Sequence, residues 1–231
     1  MAQTIVVAGF GSGISAAVAR TFGRQGYSVA LLSRTPAKLD AGVKDLEAQG
    51  IKAAAYPTDL TDAKAVSAAI AKASAELGPV GLLFYSPSGQ PGRTVLSGQP
   101  EAFTAVFQMA AAGLVAAVQA AKADLVAAGG AVLVAGGGFA LESDEATKIA
   151  VQWDSDSLAV AKAAQRKLVH ILHQRLGAEG VYVFEITVNA AVKGTEFADD
   201  TATLTADAVA ARFAELLAAR DPKVWWSAIG A

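Results

Sequence analysis

Short apolar runs alternate with stretches of helical period along almost the whole chain, and the alternation predicts the elements directly. An unbroken apolar run at 5–8 and mostly apolar runs at 27–33, 52–56, 80–85, 131–135, 181–188 and 224–229 read as strands of a parallel sheet. Between them, apolar residues recur every three or four positions over 16–26, 36–50, 62–77, 101–128, 157–176 and 205–220, which predicts helices. Local punctuation agrees: Pro36 stands at a first helical position, Gly129-Gly130 and Gly177 follow helix ends, and Asp221-Pro222 stops the last helix. This order calls for an α/β fold, a Rossmann-type doubly wound parallel sheet of about seven strands with helices on both faces, in a single domain over 1–231. Ligands of such sheets lie at the carboxyl ends of the strands.

The first strand runs into Gly9-Phe10-Gly11-Ser12-Gly13-Ile14, and a helical pattern follows at once. A glycine turn between strand and helix lets backbone approach a ligand closely, and it aims free N–H groups and the positive end of the helix at one point. That point suits a phosphate, so Gly9, Gly11, Ser12, Gly13 and Ile14 are the expected diphosphate cradle. The second strand ends Leu31-Leu32-Ser33-Arg34. A dinucleotide site for NAD usually carries an acid there, whereas Ser33 and the guanidinium of Arg34 suit a 2′-phosphate, which favours NADP(H).

Composition narrows the partners. Hydrophobic residues make up 53% of the 231 residues and charged ones 17%, enough for a large core and for surface covered by further subunits. A formal net charge of -2 argues against nucleic acid as a partner. Cysteine is absent, which removes disulfides and thiolate chemistry and agrees with a reducing, cytoplasmic setting. No signal peptide is expected ahead of the first strand, and the apolar 101–128 stretch, which includes Gln108, Gln119, Lys122 and Asp124, reads as a soluble helix rather than a membrane span. His170 and His173 stand three apart on a helix without a third ligand, so no metal site is expected.

With these segments in view, the chain resembles the short-chain dehydrogenase/reductase family over nearly its full length. Ala8, Gly9 and Gly13 follow the family's T-G-x-x-x-G-x-G opening, with Ser15 in place of the last glycine. The resemblance implies that Asp59 in Pro57-Thr58-Asp59-Leu60-Thr61 contacts adenine beside Leu60, and that Thr195 touches the pyrophosphate although Val188-Asn189 replaces the usual Pro-Gly. It also implies that Lys162 holds the nicotinamide ribose. Tyr85-Ser86-Pro87-Ser88 stands for the family's N-N-A-G, leaving Ser86 near the cofactor. Elsewhere the catalytic pattern departs from the family: Ala110 takes the asparagine's place, Gly137 the serine's, and Leu158 the tyrosine's, four residues before Lys162. The i, i+4 spacing puts Leu158 and Lys162 on one helix face, and leucine moves no proton.

A positioned general acid is worth ~10²–10⁴ in rate and an oxyanion donor another ~10²–10³, so an ordinary reductase would not survive these losses unaided. Tyr85 and Asp154 are the candidate replacement donors: a strand-end phenol, and a carboxyl that burial could keep protonated. Asp154 to Ser157 also fits a simple N-cap cluster. Two functions remain open: an NADP(H)-dependent oxidoreductase of a small carbonyl or alcohol with a non-standard site built on Lys162, Tyr85 and Asp154, and an inactive NADP(H)-binding pseudoenzyme or partner subunit. The family's habit implies a homodimer or homotetramer through the 101–128 and 157–176 helices. The polar 189–204 segment is expected to form a mobile lid, Trp153 to line the substrate side, and Trp225 and Trp226 to face opposite ways.

Overall fold

In the computed structural model, which describes residues 3–88, 94–195, 198 and 200–230, seven parallel strands form one sheet in the order β3-β2-β1-β4-β5-β6-β7. The strands are β1 (Thr4–Ala8), β2 (Ser28–Ser33), β3 (Ala53–Pro57), β4 (Val80–Tyr85), β5 (Ala131–Gly137), β6 (Tyr182–Val188) and β7 (Trp226–Ile229). The helices are α1 (Ile14–Arg24), α2 (Pro36–Ala48), α3 (Ala63–Leu77), α4 (Pro100–Phe107), α5 (Gly113–Ala128), α6 (Asp144–Gln152), α7 (Asp156–Gly177) and α8 (Ala206–Ala219). The doubly wound fold expected from the alternation is therefore present, and the strand order reverses between β1 and β4. That reversal opens a crevice at the carboxyl ends of these two strands.

The central strands are mostly apolar because both their faces are covered, whereas the edge strands β3 and β7 are only partly buried. Val6, Leu83, Tyr85, Val132 and Val134 pack beneath α3, α5 and α7, while Ile5, Val7, Leu82, Phe84, Leu133 and Phe184 pack on the opposite face with α1 and α8. Fully burying an aliphatic or aromatic side chain of this size stabilises by about 1.5–3 kcal/mol, so the two layers dominate the stability of the fold.

The structure differs from the sequence pattern in four places. The 101–128 helix is continuous but widens into a π turn at Gln108–Ala112, between α4 and α5. Tyr85 donates a short hydrogen bond from its hydroxyl to Met109 O inside that turn, and Gly113 has no room for a side chain because a Cβ there would strike Tyr85 and Leu60 O. Although Pro100–Ala128 is long and apolar enough to cross a membrane, Leu114, Ala117, Ala121 and Leu125 are buried in the core, and Asp124 accepts from Val80 N–H and Ser74 Oγ. It is a core helix.

A helix that the periodicity did not reveal, α6, follows the 3₁₀ turn Gly138–Ala140; Ser143 caps it by accepting from Ala146 N–H. Trp225 and Trp226 do not diverge, because Trp225 precedes β7 and escapes strand alternation; the Arg166 guanidinium lies 5.9 and 4.3 Å from their ring centroids. In the 189–204 segment, expected to form a lid, Val192 pairs in parallel with Leu204 and Lys193 N–H donates to Leu204 O, with 196, 197 and 199 outside the described residues.

Candidate active site

The glycine turn sits where β1 meets β4. Gly9 adopts φ +89°, and a Cβ on it would lie 2.7 Å from Ser86 O and Pro87 N, so both conformation and space demand glycine. Ser86 is tied to the same point by donating its N–H to Ala8 O (2.8 Å). The amides of Gly9 and Phe10 both go to Leu32 O, and the Gly11 N–H goes to Ser15 Oγ (2.8 Å), whose hydroxyl returns a bond to Gly11 O (3.1 Å). Ser15, standing for the family's third glycine, thus braces the turn from inside, and Gly11 contributes open space rather than a donor. Among the described residues the N–H groups of Ser12, Gly13 and Ile14 have no acceptor, at the start of α1, whose peptide dipoles add positive potential. A Cβ on Gly13 would touch Thr195 Cγ2 at 3.1 Å, which brings Thr195 from the far end of the sheet against the turn. The Thr195 hydroxyl donates to Val192 O (2.7 Å), leaving its lone pairs toward other donors.

At the ends of β2 and β3, Arg34 is exposed and Asp59 stands beside it. Asp59 Oδ1 accepts from the Thr61 N–H and hydroxyl, both at 2.9 Å, and these bonds, helped by the Arg34 charge, hold its carboxyl below the usual range. Ser33 Oγ is buried without a hydrogen-bond partner among the described residues, a polar group in want of one at the strand end. Leu60 is buried in the core, so its side chain serves packing rather than an adenine face.

Lys162 is the ionisable centre of the other half. Its ammonium is buried and donates to Pro87 O (3.0 Å), Ala135 O (3.1 Å) and Gln165 Oε1 (3.3 Å), three acceptors for three N–H bonds. Gln165 also donates to Ala135 O (3.2 Å). Burial lowers the Lys162 pKa to about 8, with the negative charge of Glu185 pulling it back up. Glu185, on β6, was not among the residues singled out from the sequence, although a carboxylate inside the apolar run 181–188 is the anomaly that marks it.

The two expected donors do not join Lys162. Tyr85 is fully buried and its hydroxyl is committed to Met109 O; burial pushes its pKa above the ordinary phenol value, away from proton donation near neutrality. Asp154 is exposed, in a left-handed turn (φ 48°) between α6 and α7, rather than buried. The cap reading also needs correction. Ser155 is the N-cap by position, but its hydroxyl donates to Trp153 O, while Asp156 Oδ2 accepts from Val95 N–H and ties the 94–98 turn to α7.

Leu158 instead joins Val106, Ala110 and Ala161 in a small apolar cluster, with Met109 and Phe139 packed on it. Trp153 meets Phe139 edge-on at 6.1 Å. The three successive glycines after β5's apolar run differ in purpose. A Cβ at Gly136 would strike the Glu185 carboxyl and one at Gly138 would strike Asn189 Oδ1, whereas one at Gly137 meets nothing within 4 Å. His170 stacks on Trp225 (4.2 Å), and the ring nitrogens of His173 face Val183 O and Pro222 O, so both histidines are engaged in packing and main-chain contacts.

The family profile of the short chain dehydrogenases matches residues 3–203. The chain belongs to the short-chain dehydrogenase family. It is 38% identical over 77 residues to a 2,3-dihydro-2,3-dihydroxybenzoate dehydrogenase of Bacillus subtilis, a match covering 33% of this chain and 30% of that relative. Its fold is similar to that of an alcohol dehydrogenase from Thermococcus sibiricus in complex with 5-hydroxy-NADP (TM-score 0.82, 20% identity, 99% of this chain and 96% of the other). It is similar as well to an NADPH-bound short chain oxidoreductase of Pseudomonas aeruginosa described as containing an atypical catalytic center (TM-score 0.73, 21% identity, 85% and 76%).

Proposed function

We propose that this short-chain dehydrogenase binds NADP(H) and acts as an oxidoreductase on a small carbonyl or alcohol, with Lys162 as the proton-bearing group of a site in which leucine, glycine and alanine take the family's usual tyrosine, serine and asparagine positions. The observation that carries the reading is the buried Lys162 ammonium, held at the carboxyl ends of β4 and β5 by Pro87 O and Ala135 O. Around it the chain offers what a dinucleotide needs. The acceptor-free amides of Ser12, Gly13 and Ile14, with Thr195, suit the diphosphate; Ser33 and Arg34 suit the 2′-phosphate, and Asp59 the adenosine end. When bound, the nicotinamide supplies the hydride chemistry. Lys162 then orients the neighbouring ribose by exchanging its longest bond, that to Gln165, for a sugar hydroxyl, and with its pKa lowered to about 8 it is a competent acid near neutrality. The cluster of Leu158, Ala110 and Phe139 excludes water from the substrate side. The exposed Val160 and Ile171 on α7 support assembly into a homodimer or homotetramer through α7 and the 101–128 helix.

A second reading, a binding subunit without turnover, is favoured by one arrangement: Tyr85 is sealed in the core and Asp154 stands in solvent, so neither reaches Lys162. Fluorescence titration with NADPH, followed by oxidation of the bound nucleotide against a panel of small aldehydes, ketones and their alcohols, separates the two. The expected outcome is micromolar-range binding with slow turnover that Lys162→Met abolishes and Asp154→Asn leaves intact. Tight binding with no turnover on any substrate selects the binding subunit, and no binding of either pyridine nucleotide removes both readings.

A further inference from the structure

We infer that Glu185 is the counter-charge that keeps Lys162 an ammonium inside the sheet, and so is a positioning residue for whatever Lys162 binds. The inference goes beyond the family resemblance, which assigned no role to this strand position, and its cofactor arm rests on the NADP(H) reading above.

The two side chains lie at one peptide of β5 without forming a direct ion pair. Lys162 donates to Ala135 O, and the Glu185 carboxyl lies against the next residue, Gly136, so closely that no side chain fits there. Strand register places Glu185 beside Val134 on β5 and beside Trp226 on β7, on the face covered by α7. Glu185 is fully buried. Its Oε1 accepts from the Thr187 hydroxyl (2.8 Å), which itself accepts from the Trp226 indole N–H (2.8 Å), while Oε2 has no hydrogen-bond partner among the described residues. An isolated charge so buried is costly, whereas opposite charges lower each other's cost.

The surroundings of Lys162 point the same way. All three groups that its Nζ meets are oxygen acceptors and none is a donor, so only the fully protonated amine satisfies them. Every acceptor there is neutral, and the carboxylate must come from elsewhere. The charged groups facing Glu185 are Lys162 and Arg166, both from α7. From β5 come the Ala135 and Gly136 backbone, and from β6 and β7 the uncharged Thr187 and Trp226. Arg166 is drawn outward over the Trp226 ring (4.3 Å), which leaves Lys162 as the enclosed partner. Burial raises the carboxyl and lowers the amine, and each charge opposes the shift of the other.

The pH dependence that follows is specific. In the folded chain Lys162 holds its proton up to about pH 8, against an ordinary 10.5, so below pH 8 the fold bears the cost of a buried ammonium, which is relieved as pH rises through that interval. Removing the Glu185 charge deepens that cost wherever Lys162 is protonated and Glu185 ionised. Below the raised range of Glu185 the wild-type carboxyl carries a proton and resembles glutamine, and above pH 8 the ammonium is lost. The stability gap in favour of the wild type is therefore confined to a window around neutrality, and above pH 8, where the Glu185 carboxylate is left unpaired in the core, it turns in favour of Glu185→Gln.

Thermal unfolding of both proteins from pH 5 to 10 tests this without any cofactor. The expected gap in favour of the wild type is about 3–6 °C near pH 7, closing toward pH 5 and reversing above pH 8. A gap of constant size across the range, or none, overturns the inference, since packing alone gives no such profile. Should Glu185→Gln not fold, the double variant Lys162→Met/Glu185→Gln decides: it is expected to recover stability relative to Lys162→Met alone, whereas further loss overturns the pairing. In parallel, NADPH titrations are expected to show Glu185→Gln losing affinity progressively between pH 7 and 8.5, several-fold relative to wild type. Failure of the wild type to bind NADPH would sink the functional proposal while leaving the thermal profile to judge the pair.

Discussion

The two ends of the sheet's crevice solve different problems with different materials. On the β1–β2–β3 side the site is made of backbone: acceptor-free amides, a glycine at φ +89°, and the start of a helix, with one exposed cation beside Asp59. On the β4–β5–β6 side it is made of buried side chains, Lys162, Gln165, Glu185 and Thr187, interlocked beneath an apolar cluster. A backbone cradle is indifferent to most substitutions but intolerant of a Cβ in the wrong place. A buried polar network is tolerant of shape but intolerant of an unbalanced charge. The proposed chemistry resides on the second side, around Lys162.

The sharpest way to break the first half is Gly9→Ala. The new methyl combines a disfavoured φ with contacts of 2.7 Å to Ser86 O and Pro87 N, both backbone and unable to yield cheaply. NADPH binding is expected to be lost, with at least about 2 kcal/mol of stability, read by fluorescence titration and urea unfolding. Retained binding with unchanged stability would show that the turn is not held against β4. A smaller effect is expected from Arg34→Ala, which removes a charge and nothing from the core. Affinity for NADPH should fall about 10-fold while that for NADH stays level, since a charge-assisted bond is worth about 1.5–3 kcal/mol. Equal losses for both nucleotides would place Arg34 away from the 2′ position. The smallest effect belongs to the second half. Gly137→Ser adds a side chain into open space at an ordinary extended φ of -134°, so stability should change by less than about 0.5 kcal/mol. If the mutant supports faster carbonyl reduction, the added hydroxyl stands near the reacting oxygen; a clear loss of stability would instead show that position 137 is packed.

These contrasts also explain what the chain disclosed before its structure. All seven strands were legible because each is mostly apolar and bounded by turn residues, and the glycine turn was legible because strand, glycines and helix follow without interruption. α6 was missed because it is a short, mostly exposed helix packed on the start of α7, with only Ala146 and Ala150 buried and an apolar stripe, Ala146, Ile149 and Ala150, too brief to stand out. Tyr85 was misjudged because a strand-end phenol looks the same in sequence whether it faces a crevice or a helix. The partner that decides the matter, Met109 O, is a main-chain atom 24 residues away. Glu185 was overlooked for the converse reason. It was visible as a charge in an apolar run, yet its meaning depends on Lys162, on a different element, and on Gly136 leaving space.

The widened turn at Gln108–Ala112 has a consequence of its own. A π turn amounts to one amino acid more than an ordinary α ladder needs, so the helix upstream is rotated relative to the helix downstream by about a quarter of a turn. Tyr85, reaching from the sheet to Met109 O, acts as the peg that keeps this offset at its present place. A relative that lost a single residue here could regain a regular helix, but Phe103, Val106 and Phe107 would swing to a new bearing around the mouth of the crevice. Length variation at this one point is thus a route by which the same scaffold could remodel the wall of its pocket while leaving every strand where it is.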